Sequence, residues 1–212
     1  MTISLSDAGK RFNRDWIFRH FSFQFTTGNS YAIIGPNGSG KSTLLQSIAG
    51  AVALSEGAMT IQTANDKESL PSITTDSIYQ HIAIAAPYLE LIEEMTATEL
   101  LTFHQTFKPL LPTLDIKEMI AAIGLSNAAH KQIRYYSSGM KQRVKLAQAI
   151  FSDVPVVLLD EPCTNLDASG IALYQELIAR YCQDRLVLVS SNDEAEYGFC
   201  KEHINLLQFK NG

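Results

Sequence analysis

Gly35-Pro36-Asn37-Gly38-Ser39-Gly40-Lys41-Ser42-Thr43 fits the pattern GxxxxGK[ST]. Glycines let successive backbone N–H groups curl around phosphate oxygens, and a helix beginning at the end of the loop adds the positive end of its dipole. Lys41 is then placed to neutralise the outer phosphates and the Ser42 hydroxyl to reach Mg²⁺. A second group with the right chemistry is Asp160-Glu161, which closes the apolar run Val156-Val157-Leu158-Leu159. Ligands of open α/β sheets sit at the carboxyl ends of their strands. Asp160 is the candidate metal ligand. Strand neighbours point to opposite sides, which leaves Glu161 to polarise an attacking water, as phosphoryl transfer to water requires.

The elements that must position these groups alternate along the chain. Ile3 and Leu5, then Phe21, Phe23 and Phe25, alternate with polar residues at the period of half-buried strands. Tyr31 to Ile34 reads as a short buried strand, and Leu44, Leu45 and Ile48 follow the glycine-rich loop at helical spacing up to Gly50. From about Glu56 to Ala86 the chain is polar and turn-rich, with edge-strand candidates at Ala58 to Gln62 and His81 to Ala85. Between Pro87 and Tyr136 two helices are expected, Glu93 to Phe107 and Ile116 to Ile123, separated by Pro109 and Pro112. Beyond Ser137 a helix with Val144, Ala147, Ile150 and Phe151 inside leads to the strand before Asp160. Another helix carries Ile171, Tyr174, Leu177, Ile178 and Tyr181, followed by a strand Leu186 to Val189 and a terminal strand His203 to Phe209. Buried strands alternating with helices predict an α/β fold, a mostly parallel sheet covered by helices on both faces, with an antiparallel β edge. The expected organisation is one domain, with a nucleotide-binding core at 1–86 and 137–212 and an inserted helical subdomain at 87–136.

The order of these motifs resembles that of ATP-binding cassette (ABC) ATPases, phosphate-loop NTPases, over nearly the whole chain. Tyr136-Ser137-Ser138-Gly139-Met140-Lys141-Gln142-Arg143 is similar to the family signature LSGGQxQR, and Asn165-Leu166-Asp167 matches its D-loop. A helix tip at Ser137 offers a hydroxyl, and Gly139 a backbone N–H, to a γ-phosphate presented from another subunit. The resemblance implies a head-to-tail dimer, of identical or related cassettes, with two ATP molecules and Mg²⁺ held between Gly35 to Thr43 of one copy and Ser137, Ser138 and Gly139 of the other. It also implies ATP hydrolysis coupled to a separate integral membrane permease, of an export type similar to ABC-2 or short heme-exporter systems. Phe12 stands where the family stacks an aromatic on adenine, with Trp16 as competitor.

Two positions depart from the family pattern. Asn192, in Ser190-Ser191-Asn192-Asp193, occupies the place of a switch histidine. An amide donates a hydrogen bond but cannot become a cation as charge develops, so slowed turnover is expected. Where a Q-loop glutamine belongs, the chain runs Ala86-Pro87-Tyr88-Leu89-Glu90, leaving Tyr88, Glu90 or nothing comparable in its place. The neighbouring acids Glu90, Glu93, Glu94 and Glu99 either solvate a helix face or receive a partner's coupling segment.

Composition bounds the alternatives. The 212 residues carry a net charge of −5, which disfavours nucleic acid as a partner, and the cluster Lys141, Arg143 and Lys145 is expected as the wet face of a helix. No apolar run approaches the roughly 20 residues that span a bilayer, nor is a secretory signal expected at Met1 to Lys10, so the chain should stay in the cytosol; the resemblance implies a place at the cytoplasmic face of a membrane through its partner. Three cysteines without a CxxC spacing, Cys163, Cys182 and Cys200, are expected reduced and buried. Rival readings are a soluble non-transport ABC ATPase, a phosphate-loop kinase acting on a small molecule, and a non-hydrolysing regulatory cassette.

Overall fold

A computed structural model describes residues 1–63, 73 and 77–210. Among these residues eight strands form two sheets. β1 (Thr2–Phe12), β2 (Asp15–Thr26) and β4 (Glu56–Gln62) make an antiparallel sheet in the order β2-β1-β4. β3 (Ser30–Ile34), β5 (Ile82–Ala85), β6 (Val156–Asp160), β7 (Leu186–Ser190) and β8 (Glu202–Asn205) make a parallel sheet in the order β5-β6-β7-β3-β8. Both proposed edge strands are edges, β4 of the first sheet and β5 of the second. Much of the polar stretch between them lies outside the described residues.

The near-continuous apolar runs of β6 and β7 follow from burial on both faces. Val156 and Leu158, with Leu186 and Leu188, face one core, which also holds Leu44, Leu45 and Ile48 of α1 (Lys41–Ile48) and the phenylalanines of β2. Val157 and Leu159, with Val187 and Val189, face the other, built from α4 (Ser138–Ile150) and α5 (Ala168–Tyr181). Each of these valines and leucines contributes about 1.5–3 kcal/mol of burial. A one-residue slip of either strand would exchange the two cores, and register is thereby specified.

Two element boundaries differ markedly from expectation. α2 spans Ala97–Gln105 and starts four residues later than the apolar pattern suggests. Thr96 accepts from the Glu99 N–H while the Glu99 carboxylate accepts from the Thr96 N–H, a reciprocal cap that sets the first turn. The same device, Asp115 with Glu118, opens α3 (Ile116–Ala122). At the carboxyl end, β8 stops at Asn205, and Leu206–Phe209 form a 3₁₀ turn capped by the Asn205 side chain. The apolar run there is shaped by packing rather than by a ladder, for Phe209 lies 4.7 Å from Phe21 edge to face.

Glu90, Glu93, Glu94 and Glu99 are all exposed, as a solvated face requires, and three of them also have partners within the chain: Glu99 caps α2, Glu93 pairs with Lys141, and Glu94 lies 3.5 Å from Arg134. The basic cluster is not a wet face: Lys145 donates to the Pro87 carbonyl at 2.9 Å, and Arg143 is three-quarters covered. Among the described residues, no helix is long and apolar enough to cross a membrane.

Candidate nucleotide site

Parallel register brings three chain segments to one rim. Ile33 and Asp160 both stand opposite Ser190, one on each side of β7. The loop after β3, the acidic end of β6 and the Ser191-Asn192 segment therefore emerge side by side at the carboxyl ends of the strands, the usual position for a ligand in such sheets.

The loop from Gly35 to Gly40 ends at α1, whose cap residue Gly40 has φ 103° and gives no side-chain cap. A Cβ at Gly40 would collide with the Ile17 side chain, so no other residue fits this close approach. The first amides of α1 are thereby left uncapped at the mouth of a cavity of about 310 Å³. It is lined by Ile17, Asn37, Gly38, Lys41, Ser42, Thr43 and Glu161, among others. Lys41 is 5% exposed and its ammonium donates to the carbonyls of Gly35 at 2.8 Å and Pro36 at 3.3 Å. Burial pulls its pKa below the ordinary 10.5, against the opposing pull of Glu161 and Asp160. A triphosphate offers this half-desolvated cation far better compensation than two neutral carbonyls.

Asp160 is 2% exposed, and its Oδ1 is a buried acceptor with no hydrogen-bond partner among the described residues. A buried unpaired carboxylate oxygen is costly, and Asp160 lies within electrostatic reach of Lys41, whose neighbour in sequence is Ser42; a carboxylate and a hydroxyl suit a hard divalent cation that also holds phosphate. The donor set thus fits Mg²⁺ bound with a nucleotide. Glu161 lies just beyond β6 at φ 44°, in the left-handed region, so a backbone turn and not strand alternation sets its direction. Its N–H donates to the Ser190 carbonyl at 2.9 Å.

Asn192 reaches the same loop. Its Nδ2 donates to Asn37 Oδ1 at 2.7 Å and its Oδ1 accepts from Lys41 Nζ at 3.4 Å. Tyr88, one of the open substitutes for the missing glutamine, hydrogen-bonds the Gln46 side chain of α1 and lies near Asp160; burial and that negative charge raise its phenol pKa. Glu90 lies instead near Lys145.

The second helix tip forms a separate surface. Ser137 caps α4, its Oγ accepting from the Met140 N–H at 3.2 Å. The hydroxyl is therefore not wholly free, though its proton remains to be donated. Ser137, Ser138 and Gly139 line a cavity of about 390 Å³ with Arg143, Asn165, Leu166 and Asp167, and this cavity shares no residue with the Lys41 cavity. Asp167 caps α5 by accepting from the Gly170 N–H and the Ser169 hydroxyl, each at 2.8 Å, and these bonds hold its pKa below the usual range. Arg143 Nε is buried without a partner among the described residues, while its Nη2 lies 3.9 Å from Asp167.

The aromatic candidates lie along the β1–β2 hairpin, and neither Phe12 nor Trp16 lines the Lys41 cavity. Phe12 is 49% exposed with Lys10 over its ring, whereas Trp16 has guanidinium groups at 5.5 Å (Arg11) and 4.5 Å (Arg19). Two contributors escaped the sequence reading. Ile17 sits on a strand with no motif around it, and no motif marks Glu196.

This sheet, with a glycine loop feeding α1 and an acid closing the next strand but one, is that of a phosphate-loop NTPase. Residues 18–164 match the model of the family described as ABC transporter, and the chain belongs to that family. It is 28% identical over 176 residues to the uncharacterized ABC transporter ATP-binding protein YybJ of Bacillus subtilis, covering 83% of this chain and 78% of that one. It is 32% identical over 186 residues to the cytochrome c biogenesis ATP-binding export protein CcmA of Brucella abortus, covering 87% and 82%. The dimeric bacterial ABC transporter cassette MJ0796 superposes with a TM-score of 0.79 at 21% identity, over 96% of this chain and 94% of that one.

Proposed function

We propose that this chain is the ATP-binding and hydrolysing subunit of an ABC transporter. In this reading two copies, or one copy and a related cassette, close on two Mg-ATP molecules. The observation that carries it is the placement of two incomplete half-sites on separate surfaces of one chain: the Gly35–Thr43 cradle with Asp160 and Glu161, and the Ser137–Gly139 helix tip. A head-to-tail pair unites them on one triphosphate. Ser42 and Asp160 hold the metal, Lys41 and the loop amides hold phosphate, and Glu161 orients the attacking water. Phe12, half exposed and with Lys10 rather than two guanidinium groups against its ring, is the adenine platform.

Closure would drive an integral membrane permease at the cytoplasmic face, through a helical subdomain at 87–136 inserted between core segments 1–86 and 137–212. Exposed Ile92, Phe103 and Phe107, beside the loop that carries Tyr88 and Glu90, support that coupling. Export is favoured by the names of relatives such as CcmA, which say so of those proteins. Gel filtration of Glu161→Gln with and without saturating Mg-ATP tests the reading. An ATP-dependent dimer supports it, and a monomer under all conditions overturns it.

One observation favours a second reading, a slow or non-hydrolysing regulatory cassette. Asn192 is tied to Asn37 and Lys41, and no histidine stands there. Single-turnover hydrolysis by the wild-type chain separates the two.

A further inference from the structure

The single turn α6 (Glu194–Tyr197) follows Asn192, and its third residue, Glu196, is turned inward and only 5% exposed. Carboxylates are almost never so deeply buried unless paired, yet among the described residues Glu196 forms no ion pair. Instead one carboxylate oxygen accepts from the Cys163 backbone N–H at 2.7 Å, and the Ser191 side chain hydrogen-bonds the same carboxylate. Cys163 is two residues beyond Glu161, and Ser191 immediately precedes Asn192. From behind, the turn is anchored to α5: the Tyr174 hydroxyl donates to the Glu196 carbonyl at 2.9 Å and Gln175 to the Ala195 carbonyl at 2.8 Å.

A carboxylate is an expensive filler for this position. Burial and the nearby negative charges of Asp193 and Glu161 all act against its ionised form. What it supplies is an acceptor oxygen that joins two loops which, among the described residues, the backbone links through the Glu161 N–H bond to Ser190. Glu161 needs such support, because its left-handed φ of 44° persists only where the surroundings over-determine it.

We propose that Glu196 is a positioning residue: it fastens the loop carrying Glu161 to the loop carrying Asn192, so that the two groups keep a fixed spacing around the phosphate site. Its effect on turnover rests on the reading of Glu161 as the hydrolytic group; its effect on the loops does not.

Three variants test it, Glu196→Ala, Glu196→Gln and Tyr174→Phe, the last loosening the same turn from behind while leaving the carboxylate in place. Amide hydrogen exchange without nucleotide, and steady-state ATP hydrolysis, are the two readouts. In Glu196→Ala, exchange at Cys163 and across 190–193 should rise together by about tenfold or more. There kcat should fall by about 10–100-fold, as expected for a small misplacement of a reacting group, while KM for ATP stays within about twofold. Glu196→Gln, whose amide oxygen still accepts from Cys163, should keep the protection and most of kcat. Tyr174→Phe should lose thermal stability but neither the Cys163 protection nor kcat. Unchanged exchange in Glu196→Ala overturns the proposal, as does a Gln variant as defective as Ala, or a Tyr174→Phe variant equally slow. If the wild-type chain proves unable to hydrolyse ATP, the hydrolysis reading falls, and the exchange data alone decide the role of Glu196.

Discussion

The Asn192 side chain bridges the phosphate loop, with its Nδ2 on Asn37 Oδ1 at 2.7 Å and its Oδ1 3.4 Å from Lys41 Nζ. The amide thus meets the same two loop residues that a triphosphate would engage. It can hold them, but it cannot gain charge when the γ-phosphate does.

Asn192→His should therefore accelerate ATP hydrolysis, by about tenfold if a cationic donor supplies about 1.4 kcal/mol in the transition state. Steady-state phosphate release under saturating Mg-ATP measures it. An unchanged or lower rate would show that the asparagine is not what limits turnover.

Glu161→Gln should lower hydrolysis by about 10²–10⁴-fold, the usual worth of a general base, with ATP affinity retained because the phosphate cradle is untouched. Nucleotide binding followed by fluorescence, beside the gel-filtration assay, separates loss of chemistry from loss of binding.

Gly139→Asp should abolish ATP-dependent association and leave ATP binding by the monomer intact. A Cβ at this position meets the Asn165 carbonyl at 3.0 Å, and the added carboxylate would repel phosphate at the tip of α4. Sedimentation with and without Mg-ATP checks the first part, and equilibrium nucleotide binding checks the second.

Glu196→Gln should raise thermal stability at neutral pH, with the gain shrinking in acid. Burial, joined by the charges of Asp193 and Glu161, raises the Glu196 pKa above its ordinary 4.5, while the Ser191 and Cys163 bonds act the other way. For an acid whose folded pKa is raised, the protonated form stabilises the fold below the unfolded pKa, and this is lost as pH rises through the folded pKa. At pH 7, above the unfolded pKa, burying this acid is therefore a net cost that an uncharged amide removes. Thermal melts of both proteins from pH 4 to pH 8 should converge at the acid end; parallel curves would contradict the assignment.

The three thiols should resist alkylation in the native state and react only on unfolding. Cys163, Cys182 and Cys200 are buried, and burial lifts their pKa values to about 12, 11 and 12, so the thiolate is scarce at neutral pH. Timed reaction with a thiol reagent, native and in denaturant, provides the check.

Sequence reading captured the parts whose physics is local. A phosphate loop is written in consecutive residues, since glycines, a lysine and a hydroxyl must follow one another for the backbone to close on an anion. Buried strands such as Val156–Asp160 are legible because burial on both faces demands an unbroken apolar run. Boundaries were less legible. The late start of α2 depends on a side-chain cap, and the run after His203 is equally apolar as a strand or as a turn packed on Phe21.

By itself, then, the order of residues determined the fold class and marked the loop at Gly35–Thr43 and the acids at Asp160 and Glu161 as candidates. Tertiary structure alone decided which residues meet across long separations. It set Asn192 against Asn37, 155 positions away, Glu196 against Cys163, and Ile17 against Gly40. Such contacts are fixed by strand order and register, which place β7 between β3 and β6, and a one-dimensional pattern carries no record of neighbours that only a sheet creates.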